Sequence, residues 1–251
     1  MATSKYSFTD AIIATHRDVF RATQAMPRLT AIVVVLLVLQ ALLELAASAL
    51  IPEQSLLGSG LVSIVYDALI TPFLIAVHRF IILGEVTHQY RLVWRDRRYQ
   101  LFFGWAFVVT VLSQLPVLVS NLPGPWLTTF LLVLVSYIAV FIIFIRVMIL
   151  FPAIAVDAPG ATPRHAFADT KGHTWAVLFA FILPFIPSGM IVALVLVAAI
   201  FDIPLAGHWL VLGLLGLIKM FWIALAVVIA SRLYLELSNR LTRADEEPAE
   251  A

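Results

Sequence analysis

Three ionisable residues, Glu44, Asp67 and Lys219, stand inside long apolar runs of this chain. Placing an ionisable side chain at the centre of a membrane span costs at least about 2.5 to 3.5 kcal/mol, so each requires a partner or water. Counting about 1.5 Å per residue from the outer boundary puts Lys219 near mid-membrane and the two carboxylates closer to the outer surface, and a lysine stem can cover that difference. Ser63, Asp67, Thr71 and His78 share one helical face, while Gln40 and Glu44 stack as an i, i+4 pair. The chemistry on offer is proton or small-solute handling at a charged centre, which would make the chain a small transporter. The plainer reading is an ion pair between Lys219 and Glu44 or Asp67 that fixes helix register. Lys219 shares its face with Gly216, Ala226 and Ala230, and small residues let a neighbouring helix approach closely.

Other patterns that carry chemistry are sparse. Glu85 and His88 form a single E-x-x-H, whereas a di-iron carboxylate site requires two such motifs and two further Glu on facing helices. There is no H-E-x-x-H, G-x-S-x-G or P-loop pattern, and the absence of Cys removes thiol and disulfide chemistry. The expectation is a non-enzymatic protein with no catalytic residue, no metal and no cofactor.

The elements that must position Glu44, Asp67 and Lys219 follow from composition. With 62% hydrophobic and 12% charged residues and a mean hydropathy of +1.02, the 251-residue chain lies far from the balance of a soluble domain. A hydrocarbon core about 30 Å thick takes about 20 apolar helical residues to cross. Six runs meet that length: 29–50, 61–83, 101–120, 126–150, 174–201 and 208–235. The fold expected is therefore all-α, a polytopic membrane helical bundle of six transmembrane helices forming one domain over 1–237, followed by a disordered tail over 238–251. A small-residue triplet, Ala47-Ser48-Ala49, resembles a signal-peptidase site, but a leader of that length would be too long, so the first span is expected to remain.

The loops between the runs are asymmetric. Lys5, Arg17, Arg21 and Arg28 precede the first span, Arg91, Arg95, Arg97 and Arg98 separate the second from the third, Arg164 and Lys171 follow the fourth, and Arg240 and Arg243 follow the sixth. The alternate connections carry no Lys or Arg. That bias places both termini in the cytoplasm, and the Arg- and Ala-rich composition points weakly to a bacterial inner membrane. The net charge of +1 argues against nucleic acid as a partner. Membrane lipids with anionic headgroups are the expected partners, through Arg91, Arg95, Arg97 and Arg98 in the loop and Arg79 and Arg146 just within the same leaflet. A protein partner or a second copy is compatible with the same surface.

Short amphipathic segments recur before alternate spans. Residues 7–24 suit an interfacial helix, with Ser7 and Asp10 at capping-box spacing; residues 85–100 interleave basic and aromatic side chains; Thr162-Pro163 can start a third helix that ends at Lys171-Gly172. This predicts three units, each an interfacial helix followed by a transmembrane hairpin. A second parse sets spans one to three against four to six as an inverted pair with Pro72 and Pro184/Pro187 in the middle spans, as transporters do. Proline is also common in membrane helices for purely structural reasons.

The stretch 146–175, RVMILFPAIAVDAPGATPRHAFADTKGHTW, contains an Arg inside a span, an exiting Phe151-Pro152-Ala153-Ile154, then Asp157, Gly160, Lys171, Gly172 and Trp175. This pattern resembles one found in bacterial multi-pass membrane proteins and is similar to the membrane domain fused to some glycerophosphodiester phosphodiesterases. The resemblance implies a multi-pass helical domain. It implies no phosphodiesterase activity, because the soluble barrel that holds such chemistry has no counterpart here. In physical terms Pro152 ends a helix, Pro159-Gly160 supplies a tight turn and Gly172 takes a positive φ at a helix end.

Overall fold

The computed structural model describes residues 8–50, 56–200 and 208–242. Among these residues helix is the dominant structure, with no strand. Five segments are long and apolar enough to cross a membrane: Gly60–Leu83, Arg97–Ser120, Trp126–Ala155, Thr174–Leu194 and Gly216–Leu237. Ile12–Ala25 and Pro27–Leu43 qualify as a sixth only when taken together across a 99° bend.

That bend joins α1 (Phe8–Ala25) to α2 (Pro27–Leu50). Pro27 has no amide to offer the preceding turn and is preset for the first position of a new helix, so the chain turns there. The Thr30 hydroxyl closes the corner by donating to the Met26 carbonyl at 3.0 Å and the Thr23 carbonyl at 3.3 Å. Along α1 the buried positions Thr15, Val19 and Ala22 recur at helical spacing. His16 and Phe20 place their rings 5.7 and 5.9 Å from that of Phe221. The Asp18 carboxylate accepts from the Arg232 guanidinium at 2.5 and 3.0 Å, which pins α1 to the last helix.

Proline shapes several of the later helices. Helix α3 (Leu56–Leu83) runs through Pro72 unbroken, whereas α4 (Arg97–Ser113) yields to α5 (Leu115–Ser120) at Pro116. Helix α6 (Trp126–Val147) gives way to α7 (Leu150–Ala155) where Pro152 can no longer bond the Met148 carbonyl. A short α8 (Pro163–Asp169) follows, then α9 (Thr174–Ile182), a 3-10 turn over Leu183–Phe185 containing Pro184, and α10 (Ile186–Ile200). Helix α11 (His208–Leu237) closes the chain.

Coverage by protein is uneven. Half of the apolar window of α11 is buried and a third of that of α3, against 11% in the Arg97–Ser120 and Thr174–Leu194 segments. Helix α11 is therefore central, packed against α1, α2, α3, α7 and α9. A Cβ on Gly216 would meet Val38 Cγ2 at 3.4 Å, an ordinary contact distance, so α2 and α11 lie side by side here with room for no more than a methyl group.

Two expectations need correction. Residues 84–96 form no interfacial helix: α3 stops at Gly84, whose φ is +72°, and the next helix starts only at Arg97, with Asp96 accepting from the Arg98 amide at 3.0 Å. Tyr90 of this segment is used at a distance, as described below. The chain after 237 is likewise not a free tail from its first residue. Leu241 is fully buried, and the amides of Asn239, Arg240 and Leu241 all donate to the Asp169 carboxylate at 2.9 to 3.1 Å. Residues 243–251 lie outside those described. The third short helix forms as its spacing predicts, with the Thr162 hydroxyl accepting from the His165 amide at 3.3 Å and Gly172 at φ +86°.

Candidate functional site

The intramembrane polar residues separate into two groups. Lys219 donates to Gln40 Oε1 at 3.0 Å and stands 5.5 Å from the centroid of the Tyr66 ring, a cation–π placement. Asp67 instead accepts from the Thr110 hydroxyl at 2.5 Å, and Thr71 donates to the Asp67 carbonyl at 2.7 Å. Among the described residues Lys219 bonds the amide of Gln40, and Asp67 bonds Thr110 on α4. Glu44 lies on α2, with its side chain outside those described. Beside this group the Tyr66 hydroxyl is buried with no hydrogen-bond partner, an expensive condition for a polar group.

Asp67 and Thr110 also mark one end of a slot of about 250 Å³ between α3, α4, α6, α7 and α11. Its walls are almost wholly apolar, and the space exists because Ala106, Ala226 and Ala230 present methyl groups where larger side chains would fill it. His78 lies along the same slot. Its Nδ1 is 2.8 Å from the Ser231 hydroxyl, which itself donates to the Val227 carbonyl at 2.9 Å. A hydroxyl has one proton, so Nδ1 carries the proton between His78 and Ser231.

Pro72 explains a second feature of α3. It withdraws the amide that would otherwise bond the Ala68 carbonyl. The Tyr99 hydroxyl donates to that carbonyl at 2.9 Å, and the Tyr90 hydroxyl donates to the adjacent Leu69 carbonyl at 2.7 Å. Partial burial raises the Tyr90 phenol above its ordinary pKa, so it stays protonated and able to donate.

One end of the bundle gathers most of the remaining candidates. Asp157 sits just past α7 with φ +54°, the one non-glycine residue in that region among the described residues. Around it Ala158 N bonds Ala153 O at 2.9 Å and Asp157 N bonds Ile154 O at 3.1 Å, the Schellman arrangement in which glycine is usual. Here the position is spent on a carboxylate. Arg98 grips it through two nitrogens, with Nε at 3.0 Å, and Arg79 lies 4.0 Å away. Arg79 also bonds Glu85 at 2.5 and 2.7 Å and the Ala155 carbonyl at 3.0 Å. Arg146 donates to the Thr174 hydroxyl at 3.0 Å and the Phe167 carbonyl at 3.4 Å, and Arg91 to Gln89 at 2.7 Å. Gly160 donates to the Leu241 carbonyl at 3.1 Å. Pro152 is buried, Arg95, Arg97 and Lys171 are exposed, and Trp175 is exposed with its ring stacked on Phe179 at 6.3 Å.

Of the six arginines singled out for lipid headgroups, Arg79, Arg91, Arg98 and Arg146 therefore bond to the protein itself, and Arg95 and Arg97 project outward. Glu85 and His88 part company, Glu85 going to Arg79, and no group of three or more potential metal ligands occurs among the described residues. Sequence reasoning had no signal for Tyr90 and Tyr99, for the Asp169 contacts or for Thr110 as the partner of Asp67. No family model, curated protein or solved structure matches the chain.

Proposed function

We propose that this is a non-enzymatic, multi-pass membrane protein of the bacterial inner membrane that holds the apolar part of a lipid in the slot beside Asp67. The observation that carries this reading is the slot: about 250 Å³ of apolar-walled space between the helices, lined by three alanines and marked at one end by a hydroxyl–carboxyl pair. Binding sites are concave, mostly apolar and oriented by a few polar groups, which is the pattern here. The helices bordering the slot on the α4 and α6 side are largely uncovered by protein, so lipid is their natural neighbour. In this reading Lys219, Gln40 and Tyr66 hold α2, α3 and α11 in register. The likeness of residues 146–175 to the membrane domain of glycerophosphodiester phosphodiesterases is in keeping with a lipid-facing role.

The test fills the slot. In Ala106→Leu/Ala226→Leu, native mass spectrometry of protein extracted in mild detergent should show retained lipid falling several-fold while the melting temperature stays near that of wild type. Undiminished lipid in a folded double variant would overturn the proposal.

A further inference from the structure

The elbow between α1 and α2 and the segment after α3 enclose a second pocket of about 340 Å³, lined by Ala25, Met26, Pro27, Arg28, Leu29, Thr87 and His88. It is separate from the slot and unlike it in chemistry. Its apolar floor comes from Met26 and Leu29, each only 1% exposed, while its polar groups come from both sides, Arg28 from α2 and Thr87 with His88 from the 84–96 segment. The arginines nearby are committed elsewhere: Arg79 to Glu85 and Ala155, Arg98 to Asp157, Arg91 to Gln89, Arg232 to Asp18. Among the described residues the side chains of Arg28, Thr87 and His88 make no hydrogen bond or ion pair within the protein. Arg28 and His88 are exposed and Thr87 is half-buried, so three donors without a partner in the protein border one open pocket.

We infer that this elbow pocket binds a phosphate group. A guanidinium offers a planar fork of N–H donors matched to two oxygens of a phosphate, and an imidazole and a hydroxyl can serve the remaining ones. The location suits a group held at the membrane surface, because the amphipathic α1 turns by 99° into an apolar helix at this corner. The same chemistry has two sources, the headgroup of a phospholipid and a free phosphate in solution, and they are separable by experiment. The inference stands apart from the slot, since no residue is shared between the two cavities.

The protein purified in mild detergent is titrated with a short-chain phosphatidylglycerol and, separately, with inorganic phosphate, and bound ligand is counted by native mass spectrometry. Saturable binding of either is expected, and saturation by inorganic phosphate alone assigns the soluble source. Removing a charge-assisted pair at the pocket should weaken binding about tenfold in Arg28→Gln, with a smaller loss in His88→Gln. Arg164→Gln, which alters an exposed arginine outside the pocket, should change affinity by less than about twofold. If Arg28→Gln fails to fold, Arg28→Lys keeps the charge but loses the fork and should still weaken binding measurably. No saturable binding of either probe, or equal loss in the Arg28 and Arg164 variants, would overturn the inference by leaving only diffuse charge attraction.

Discussion

Asp157 occupies a backbone position where glycine would be easier. A left-handed conformation costs an ordinary L-residue roughly 1 kcal/mol, a cost that Asp and Asn feel less because their short polar side chains bond locally. What the carboxylate contributes in return is the link from the end of α7 to Arg98 and Arg79. Asp157 is itself 57% exposed, so solvent screening keeps that link to about 1 kcal/mol. Substitution should separate the two effects in thermal unfolding. Asp157→Ala loses the carboxylate and keeps the strain, Asp157→Gly loses the carboxylate and relieves the strain, and the glycine variant should be the more stable by about 1 kcal/mol. Equal stability of the two would mean that the backbone position carries no strain. The acidic residue at this place was visible in the sequence, but its partners were not: nothing in the local pattern told Arg98 from Arg97 or Arg95, because choosing among neighbours requires the azimuth of α4.

At the scale of elements, apolar length and proline position were legible, and cross-helix pairing was not. Hydropathy located the long helices, and the Thr162-Pro163 and Lys171-Gly172 signals bounded α8, because both depend on residues adjacent in the chain. The 84–96 segment misled because its alternation of basic and aromatic residues resembles an amphipathic helix, while Tyr90 is engaged with α3, 21 residues back in the chain. Depth counting placed Lys219 within reach of Glu44 and Asp67 but gave no means of singling out Gln40, which lies one turn before Glu44 on the same helix; the Glu44 side chain lies outside those described. The role given to Tyr99 makes a coupled prediction. Tyr99→Phe strands the Ala68 carbonyl and should cost about 1 to 3 kcal/mol. In a Pro72→Ala background, where an amide returns to bond that carbonyl, the same change should cost clearly less. A double-mutant cycle in thermal stability that came out additive would show that the tyrosine does not substitute for the missing amide.

Over the whole molecule, two independent lines place the basic loops on one side. Charge asymmetry is the first. The second is contact: Gly160 bonds Leu241, Asp169 bonds residues 239–241, and Arg98 bonds Asp157, so the connection after α7, the start of α4 and the end of α11 share one end of the bundle. Reporter fusions at Trp94, Gly160 and Thr242 should accordingly give the same signal, cytoplasmic in the proposed orientation, and a fusion at Gly124 the opposite one. Disagreement between Gly160 and Thr242 would contradict the contacts themselves, whereas agreement of all three on the external side would reverse only the orientation.

The central position of α11 also has a meaning in time. Three of the helices it packs against, α1, α2 and α3, leave the ribosome before the other described helices, and α11 is the last of these to follow. Roughly 150 residues separate the end of α3 from that of α11, and at about 5 to 20 residues per second they take roughly 8 to 30 s to make. Throughout that interval Gln40 is without Lys219, His78 without Ser231 and Asp18 without Arg232. The early helices must therefore wait in the bilayer with their polar groups turned to water, lipid headgroups or an insertion factor, and the bundle closes only once α11 has been made.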